Sequence, residues 1–191
     1  HTAYSRFNTM NKEQKTVVLT GASRGIGHAT VKCFSDAGWR VLTCSREGFD
    51  SRCPWPGGKR NHVQVDLSDP RSTVEATDEI KDKLDGKLHA LINNAGVSPK
   101  LGNGQRLNTL ETELKIWHQV FQVNFFAPML LAKALRDELA GAKGAIVNVT
   151  SIAGSRVHPF AGAAYATSKS ALATLTREMA YDFGPLGVRV N

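Results

Sequence analysis

The sequence predicts an α/β protein in three layers, a doubly wound parallel sheet flanked by helices. Three observations predict it. Short apolar runs alternate with stretches of helical periodicity along the chain, and such alternation sets parallel strands side by side under right-handed helical crossovers. A glycine-rich turn, Thr20-Gly21-Ala22-Ser23-Arg24-Gly25-Ile26-Gly27, stands where the first run gives way to the first helix. The 191 residues suit one domain with a sizeable core.

The elements follow in order. Lys15 to Thr20, β-branched in its middle, reads as a buried strand. Ile26 to Ala37 reads as a helix ended by Gly38. Trp39 to Cys44 is a second strand, and His62 to Val65, closed by Asp66, a third. Between them Gly48 to Asn61 holds Pro54, Pro56, Gly57 and Gly58, so this crossover is expected to be a loop. Ser72 to Leu84 reads as a helix and Ala90 to Asn93 as a fourth strand. Leu110 to Leu139 reads as one long helical stretch, with Leu114, Trp117, Val120, Phe121 and Phe125 at three- and four-residue spacing. Ala145 to Thr150 is a fifth strand, Ala164 to Phe183 a helix with Leu172, Leu175, Met179 and Phe183 on its apolar face, and Val188 to Val190 the start of a sixth strand. A single domain is expected over residues 14–191. Residues 1–13 are polar and aperiodic; they are expected to be disordered, with His1-Thr2-Ala3 resembling the remnant of a tag.

Bulk properties exclude several classes. Net charge is +7, but the basic residues are dispersed and interleave with no aromatic cluster, which argues against nucleic acid. The excess can serve an anionic cofactor. No run of 18 apolar residues exists, so no membrane span is expected. Cys33, Cys44 and Cys53 show neither CxxC spacing nor paired histidines, so neither disulfides nor a metal site is expected. Cys33 and Cys44 lie in apolar stretches and read as core. That usage is compatible with a reducing, cytoplasmic compartment.

The glycine-rich turn suits a pyrophosphate. Glycines allow close backbone approach, and the following helix offers unpaired N–H groups and a favourable dipole. The spacing is GxxxGxG, which is neither GxGxxG nor a Walker loop, and the missing GK[ST] argues against ATP or GTP. At the end of the second strand stands Cys44-Ser45-Arg46, with no carboxylate for ribose hydroxyls. Arg46 instead suits a 2′-phosphate through its guanidinium fork, with Arg24 as a second contact. Asp66 can accept from an adenine amino group or cap the next turn.

Tyr165 and Lys169 are four apart on a helix and share a face. An ammonium near a phenol favours the phenolate, which suits the pair to proton exchange with an alcohol or carbonyl. Such pairs also occur by chance on many helices. Ser151, just after the fifth strand and fourteen residues before Tyr165, adds a hydroxyl where a parallel sheet binds ligands. Asn93-Asn94-Ala95-Gly96 follows the fourth strand, and Asn124 is a polar residue inside an apolar helical stretch. A buried amide needs partners, and this one can hold a water or a backbone group.

Taken together, Thr20 to Gly27, Asp66, Asn93 to Gly96, Asn124, Ser151 and Tyr165-Ala166-Thr167-Ser168-Lys169 resemble the short-chain dehydrogenase/reductase family in order and spacing, from about Lys15 to Asn191. The resemblance implies a Rossmann-like fold and an oxidoreductase that reduces a small carbonyl compound to an alcohol with NADP(H). It implies Tyr165 as acid/base, Lys169 as ribose contact and electrostatic support, Ser151 as substrate orienter and Asn124 as relay support. It implies a cofactor held by Gly21, Ser23, Arg24, Gly25, Ile26, Gly27, Ser45, Arg46, Asp66, Leu67, Asn93, Ala95, Gly96, Tyr165 and Lys169. The nearest pattern is the 3-oxoacyl-acyl-carrier-protein reductase type, which implies a carrier-bound thioester substrate. The helices at Leu110 to Leu139 and Ala164 to Phe183 resemble those that build the family's dimer and tetramer faces. Three departures stand out: the crossover without a helix, a loop from Ser151 to Tyr165 one residue longer than usual, and a family C-terminal substrate segment that lies outside these residues. The competing class is a dinucleotide-binding or regulatory module without turnover.

Overall fold

The computed structural model describes residues 13–53 and 57–191. Its centre is a six-stranded sheet in the order β3-β2-β1-β4-β5-β6. The strands are β1 (Thr16–Thr20), β2 (Arg40–Ser45), β3 (His62–Gln64), β4 (Ala90–Asn93), β5 (Ala145–Asn148) and β6 (Arg189–Val190). Every neighbouring pair is parallel. The order reverses direction between β1 and β4, and a doubly wound sheet opens its ligand crevice at such a switch point.

Two apolar clusters face opposite sides of the sheet. On one side α1 (Gly25–Asp36) packs Val31 and Phe34 over Val17, Leu19, Val41 and Ile92. On the other, α2 (Pro70–Asp82), α4 (Ala127–Ala134), α5 (Arg136–Ala142) and α6 (Ala163–Phe183) bury Ile80, Leu131, Leu139 and Met179 against Val18, Leu42, Leu91 and Ile146. Residues two apart on one strand thus feed different cores from their neighbours, as a strand buried on both faces requires. The three-layer α/β/α architecture is as expected from the alternation.

Several boundaries differ from the sequence reading. The long stretch from Leu110 is not one helix. The Asn108 side chain accepts from the backbone N–H of Leu110 and Glu111, at 2.9 and 3.0 Å, so residues 109–111 turn, 112–113 are irregular and α3 (Leu114–Phe121) starts later. A π-helical segment, Gln122–Phe126, follows, and Leu135, at φ −95 and ψ 17, separates α4 from α5. Helix α2 starts at Pro70 rather than Ser72, because Asp69 accepts from the Arg71 N–H at 2.8 Å and Pro70 suits a first helical position. Cys33 is exposed, not core: Val31 and Phe34 face the sheet, and position 33 falls on the opposite side of α1.

The β2–β3 crossover contains no α-helix among the described residues, which hold bends, a turn closed by the Cys53 N–H on the Asp50 carbonyl, and a 3₁₀ turn at Gly58–Asn61; Pro54 and Pro56 lie outside them. The segment read as disordered lies outside them through residue 12, while Glu13 pairs with Lys87 at 2.9 Å. Among the described residues no helix is long and apolar enough to cross a membrane.

Candidate active site

At Gly21 and Gly27 the glycine turn closes with no room to spare, while Gly25 faces open space. At Gly21, φ is +67, and an added Cβ would lie 2.8 Å from the Ala95 Cα. At Gly27 it would lie 2.0 Å from the Gly21 carbonyl oxygen. Any side chain there forces the turn open. Asn94 pins the turn from β4's end, its amide donating to the carbonyls of Thr20 and Gly21 at 3.1 and 3.0 Å. The buried Thr20 hydroxyl in turn accepts from the N–H groups of Asn94 and Ala95, both at 3.1 Å. Asn94 and Thr20, which the sequence placed within motifs but gave no role of their own, therefore hold the two strand ends together at the switch point. Gly25 opens α1, and Ser23, Arg24 and Ile26 are exposed beside it. Arg24 makes no side-chain cap, so the first N–H groups of α1 remain open to an anion.

The catalytic candidates meet on the far side of that point. Lys169 is 3% exposed; its Nζ donates to the Val149 carbonyl at 2.6 Å and lies 5.9 Å from the centre of the Tyr165 ring. Burial pushes its ammonium down to about 8. A Cβ at Gly96 would stand 3.4 Å from Lys169 Nζ and 3.5 Å from Asn124 Oδ1, so these three residues share one spot. Ser151 ends the β5 connection and accepts from the Ala153 N–H at 3.2 Å, capping the turn Ile152–Gly154. That turn packs directly on α6: a Cβ at Gly154 would meet Ser170 N at 2.8 Å. The contact holds the turn that follows Ser151 against α6 at Lys169 and Ser170.

Asn124 is fully buried within the π segment. Its Oδ1 accepts from the Val97 N–H at 2.8 Å, and its Nδ2 donates to the Val97 carbonyl at 3.1 Å and to Ser168 Oγ at 3.0 Å. Ser168 donates to the Tyr165 carbonyl at 2.7 Å. The amide thus ties the β4 loop to α6, and its described partners are backbone and serine rather than Lys169. Asn93 is also buried, and its amide donates to Asn148 Oδ1 at 2.8 Å, which continues to Thr176.

The other end of the crevice is a cavity of about 550 Å³ beside Ala22, Ser23, Thr43, Ser45, Glu47, Phe49 and His62. Arg46 is exposed and is not among its lining residues. Its charge reaches Asp66, whose carboxyl is held low chiefly by hydrogen bonds from Ser68 and secondarily by Arg46. Asp66 Oδ1 accepts from the Ser68 N–H and hydroxyl at 2.9 and 2.7 Å. Leu67 beside it is buried.

Comparison with known proteins places this arrangement. The family model for short chain dehydrogenase matches residues 15–191. The chain is 61% identical over 181 residues to the protein FixR of Bradyrhizobium diazoefficiens, covering 94% of this chain and 65% of FixR. It is 33% identical over 185 residues to a meso-2,3-butanediol dehydrogenase of Serratia marcescens, covering 95% of this chain and 70% of that one. The crystal structure of a short chain dehydrogenase/reductase family oxidoreductase from Brucella ovis, in complex with a partially ordered NAD, superposes at TM-score 0.91 with 65% identity, over 94% of this chain and 82% of that one. On the match of nearly all its residues, its switch-point turn and its sheet order, this chain belongs to the short chain dehydrogenase family.

Proposed function

We propose that this protein is an NADPH-dependent oxidoreductase that reduces a carbonyl to a secondary alcohol, with Tyr165 as the proton donor. The observation that carries the reading is the buried Lys169 ammonium, held by the Val149 carbonyl beside the Tyr165 ring, with Gly96 leaving space in front of it. The crevice fits a dinucleotide. The glycine turn presents open N–H groups for a pyrophosphate, the 550 Å³ cavity takes the adenosine end, and Gly96 leaves the Lys169 side of the crevice free for the nicotinamide half. Bound there, the nicotinamide supplies the hydride.

The chain's own residues do the rest. Lys169 stabilises negative charge on the Tyr165 oxygen and reaches ribose hydroxyls. Ser151, its backbone pinned through the turn on α6, orients the substrate oxygen. Tyr165 hands that oxygen a proton. Asn124 keeps the Gly96–Val97 loop after β4 at its distance from α6, and the relay role falls to it through that placement.

Arg46, with Ser45 in place of a carboxylate, favours the 2′-phosphate of NADPH, and Arg24 adds charge on the other side of the turn. A charge-assisted contact is worth roughly 1.5–3 kcal/mol, or about 10- to 150-fold in affinity. Titration of NADPH and NADH against the wild type and Arg46→Ala tests this; equal wild-type affinities end the preference, and the NAD bound to the Brucella relative makes the comparison pointed.

The substrate is a small or medium carbonyl compound with an apolar flank, a carrier-bound 3-oxoacyl thioester being the favoured form. Val157 and Phe160 are 83% and 71% exposed beside the Ser151 turn and offer apolar surface, and Lys100, Arg106 and Arg156 supply charge for an anionic tail. Acetoacetyl thioesters, ketones, quinones and sugar ketones assayed side by side decide it; activity confined to sugars would refute the apolar pocket. Assembly is a homodimer or homotetramer through α3 and α6. A hollow of about 620 Å³ lined by Trp117, Phe121 and Phe126 opens on that side, with Leu114 exposed beside it. Light scattering of the purified protein measures the state. The three free thiols suit a cytoplasmic setting.

A further inference from the structure

His62, the first residue of β3, lines the adenosine-end cavity with Thr43, Ser45, Glu47 and Phe49. Its Nε2 lies 2.9 Å from the Glu47 carbonyl oxygen, and its Nδ1 lies 2.9 Å from Thr43 Oγ1. The ring also tilts against Phe49 at 6.0 Å between centroids. The same Glu47 carbonyl accepts from Ser45 Oγ at 2.9 Å. A carbonyl can only accept, so the imidazole Nε2 carries a hydrogen and the Ser45 hydroxyl turns its hydrogen to Glu47. Ser45 Oγ also lies 3.5 Å from that His62 Nε2, so one Ser45 lone pair faces the imidazole N–H and the other is left for a donor in the cavity that Ser45 lines, as a ribose hydroxyl would be.

The need for such a clamp follows from the topology. A helix in this crossover would pack the segment after β2 onto the sheet. Here that segment is bends, one turn at residues 50–53 and one 3₁₀ turn among the described residues. Residues 46–48 are exposed. What fixes their path is a short set of hydrogen bonds: Ser45 and His62 on the Glu47 carbonyl, and Gln64 Nε2 on the Arg46 carbonyl at 2.8 Å. His62 is the member with four contacts, because its ring spans from buried Thr43 to Ser45, Glu47 and Phe49.

We propose that His62 is a positioning residue for the adenosine half of the dinucleotide, acting by holding the Glu47 carbonyl and, through it, the Ser45 hydroxyl and the loop wall to Phe49. This rests on the reading of the crevice as a dinucleotide site. His62→Phe keeps a ring against Phe49 and removes the hydrogen bonds. His62→Gln keeps an N–H that can reach Glu47. Thr43→Val removes only the Nδ1 partner.

The experiment measures binding and steady-state kinetics with NADPH, NADH and reduced nicotinamide mononucleotide, which lacks the adenosine half. Loss of one to two hydrogen bonds predicts about 10-fold weaker binding of both dinucleotides in His62→Phe. KM for NADPH rises while kcat at saturation holds, and kcat/KM with the mononucleotide stays at the wild-type value. His62→Gln recovers binding to within about 3-fold, and Thr43→Val weakens it about 3-fold. Wild-type dinucleotide affinity in His62→Phe overturns the proposal and leaves the crevice reading standing. Equal losses for dinucleotide and mononucleotide also overturn it, as they show general disruption. Should His62→Phe not fold, Thr43→Val carries the test, and unchanged dinucleotide binding there overturns the proposal. A wild type that binds neither dinucleotide overturns the crevice reading, and this one with it.

Discussion

At the end of the crevice proposed to be catalytic, Asn124 and Ser168 are fully buried and Lys169 nearly so, and each is held by partners on other elements. At the adenosine end, Arg46, Glu47, Gly48, Asp50 and Arg52 are all exposed, and the wall is a loop that bonds mainly to itself and to the neighbouring strand. Buried polar groups in a low-dielectric setting tolerate few arrangements, since an unpaired one is costly. Exposed loop groups exchange protein partners for water cheaply. On the proposed function, the difference teaches that the groups assigned to proton chemistry are built into the core, while those assigned to cofactor discrimination sit where single substitutions cost the fold little.

Substitutions at the two ends sharpen that contrast. On the proposed mechanism Tyr165→Phe removes roughly 100- to 10,000-fold of turnover while dinucleotide affinity stays, since the ring remains; turnover within a few-fold of wild type would place the proton elsewhere. Lys169 should reveal itself in stability against pH. Its folded value is about 8 against an ordinary 10.5, so between those values the unfolded chain binds more protons. Stability then rises with pH over that window, and the burial penalty, on the order of 3 kcal/mol, is fully present below about pH 8 and gone above about 10.5. Urea denaturation of wild type and Lys169→Met at pH 7.5 and 10 should show the difference between them shrinking at the higher pH; a constant difference breaks the argument. Asn124→Ala strands the Val97 N–H and carbonyl, costing about 2–3 kcal/mol by chemical denaturation and lowering turnover with it. At the other end Phe49→Ala should cost only about 1 kcal/mol, the scale of one aromatic contact. A Phe49→Ala loss equal to that of Asn124→Ala would erase the distinction between core-held and loop-held ends.

The sheet, the glycine turn and the Tyr165–Lys169 pair were legible in the sequence because each is a short-range pattern. Strand alternation, GxxxGxG spacing and a four-residue interval are all read within one element. The start of α3 was not, because one Asn108 side chain diverts residues 109–113 from an otherwise helical run. Asn124 was legible as a polar intruder, but its partner Val97 is 27 residues away. His62 looked like a strand start, and its partners Glu47 and Thr43 lie 15 and 19 residues back across an irregular crossover. Cys33 was misplaced because an apolar neighbourhood in sequence does not say which side of a helix a position takes.

Strand β1 pairs Val17 with Ala90, the greatest sequence separation between neighbouring strands in this sheet. Closing so long a loop costs entropy that only later contacts recover. The crevice lies between those two strands, so a half-built sheet of β1, α1 and β2 has the glycine turn but no opposite wall. Any dinucleotide that fills the crevice therefore selects the completed sheet, and mass action turns this into protection of the native state: at 100 times the dissociation constant it adds about 2.7 kcal/mol. On the proposed function, cofactor supply would then set how much of the protein survives in the folded form.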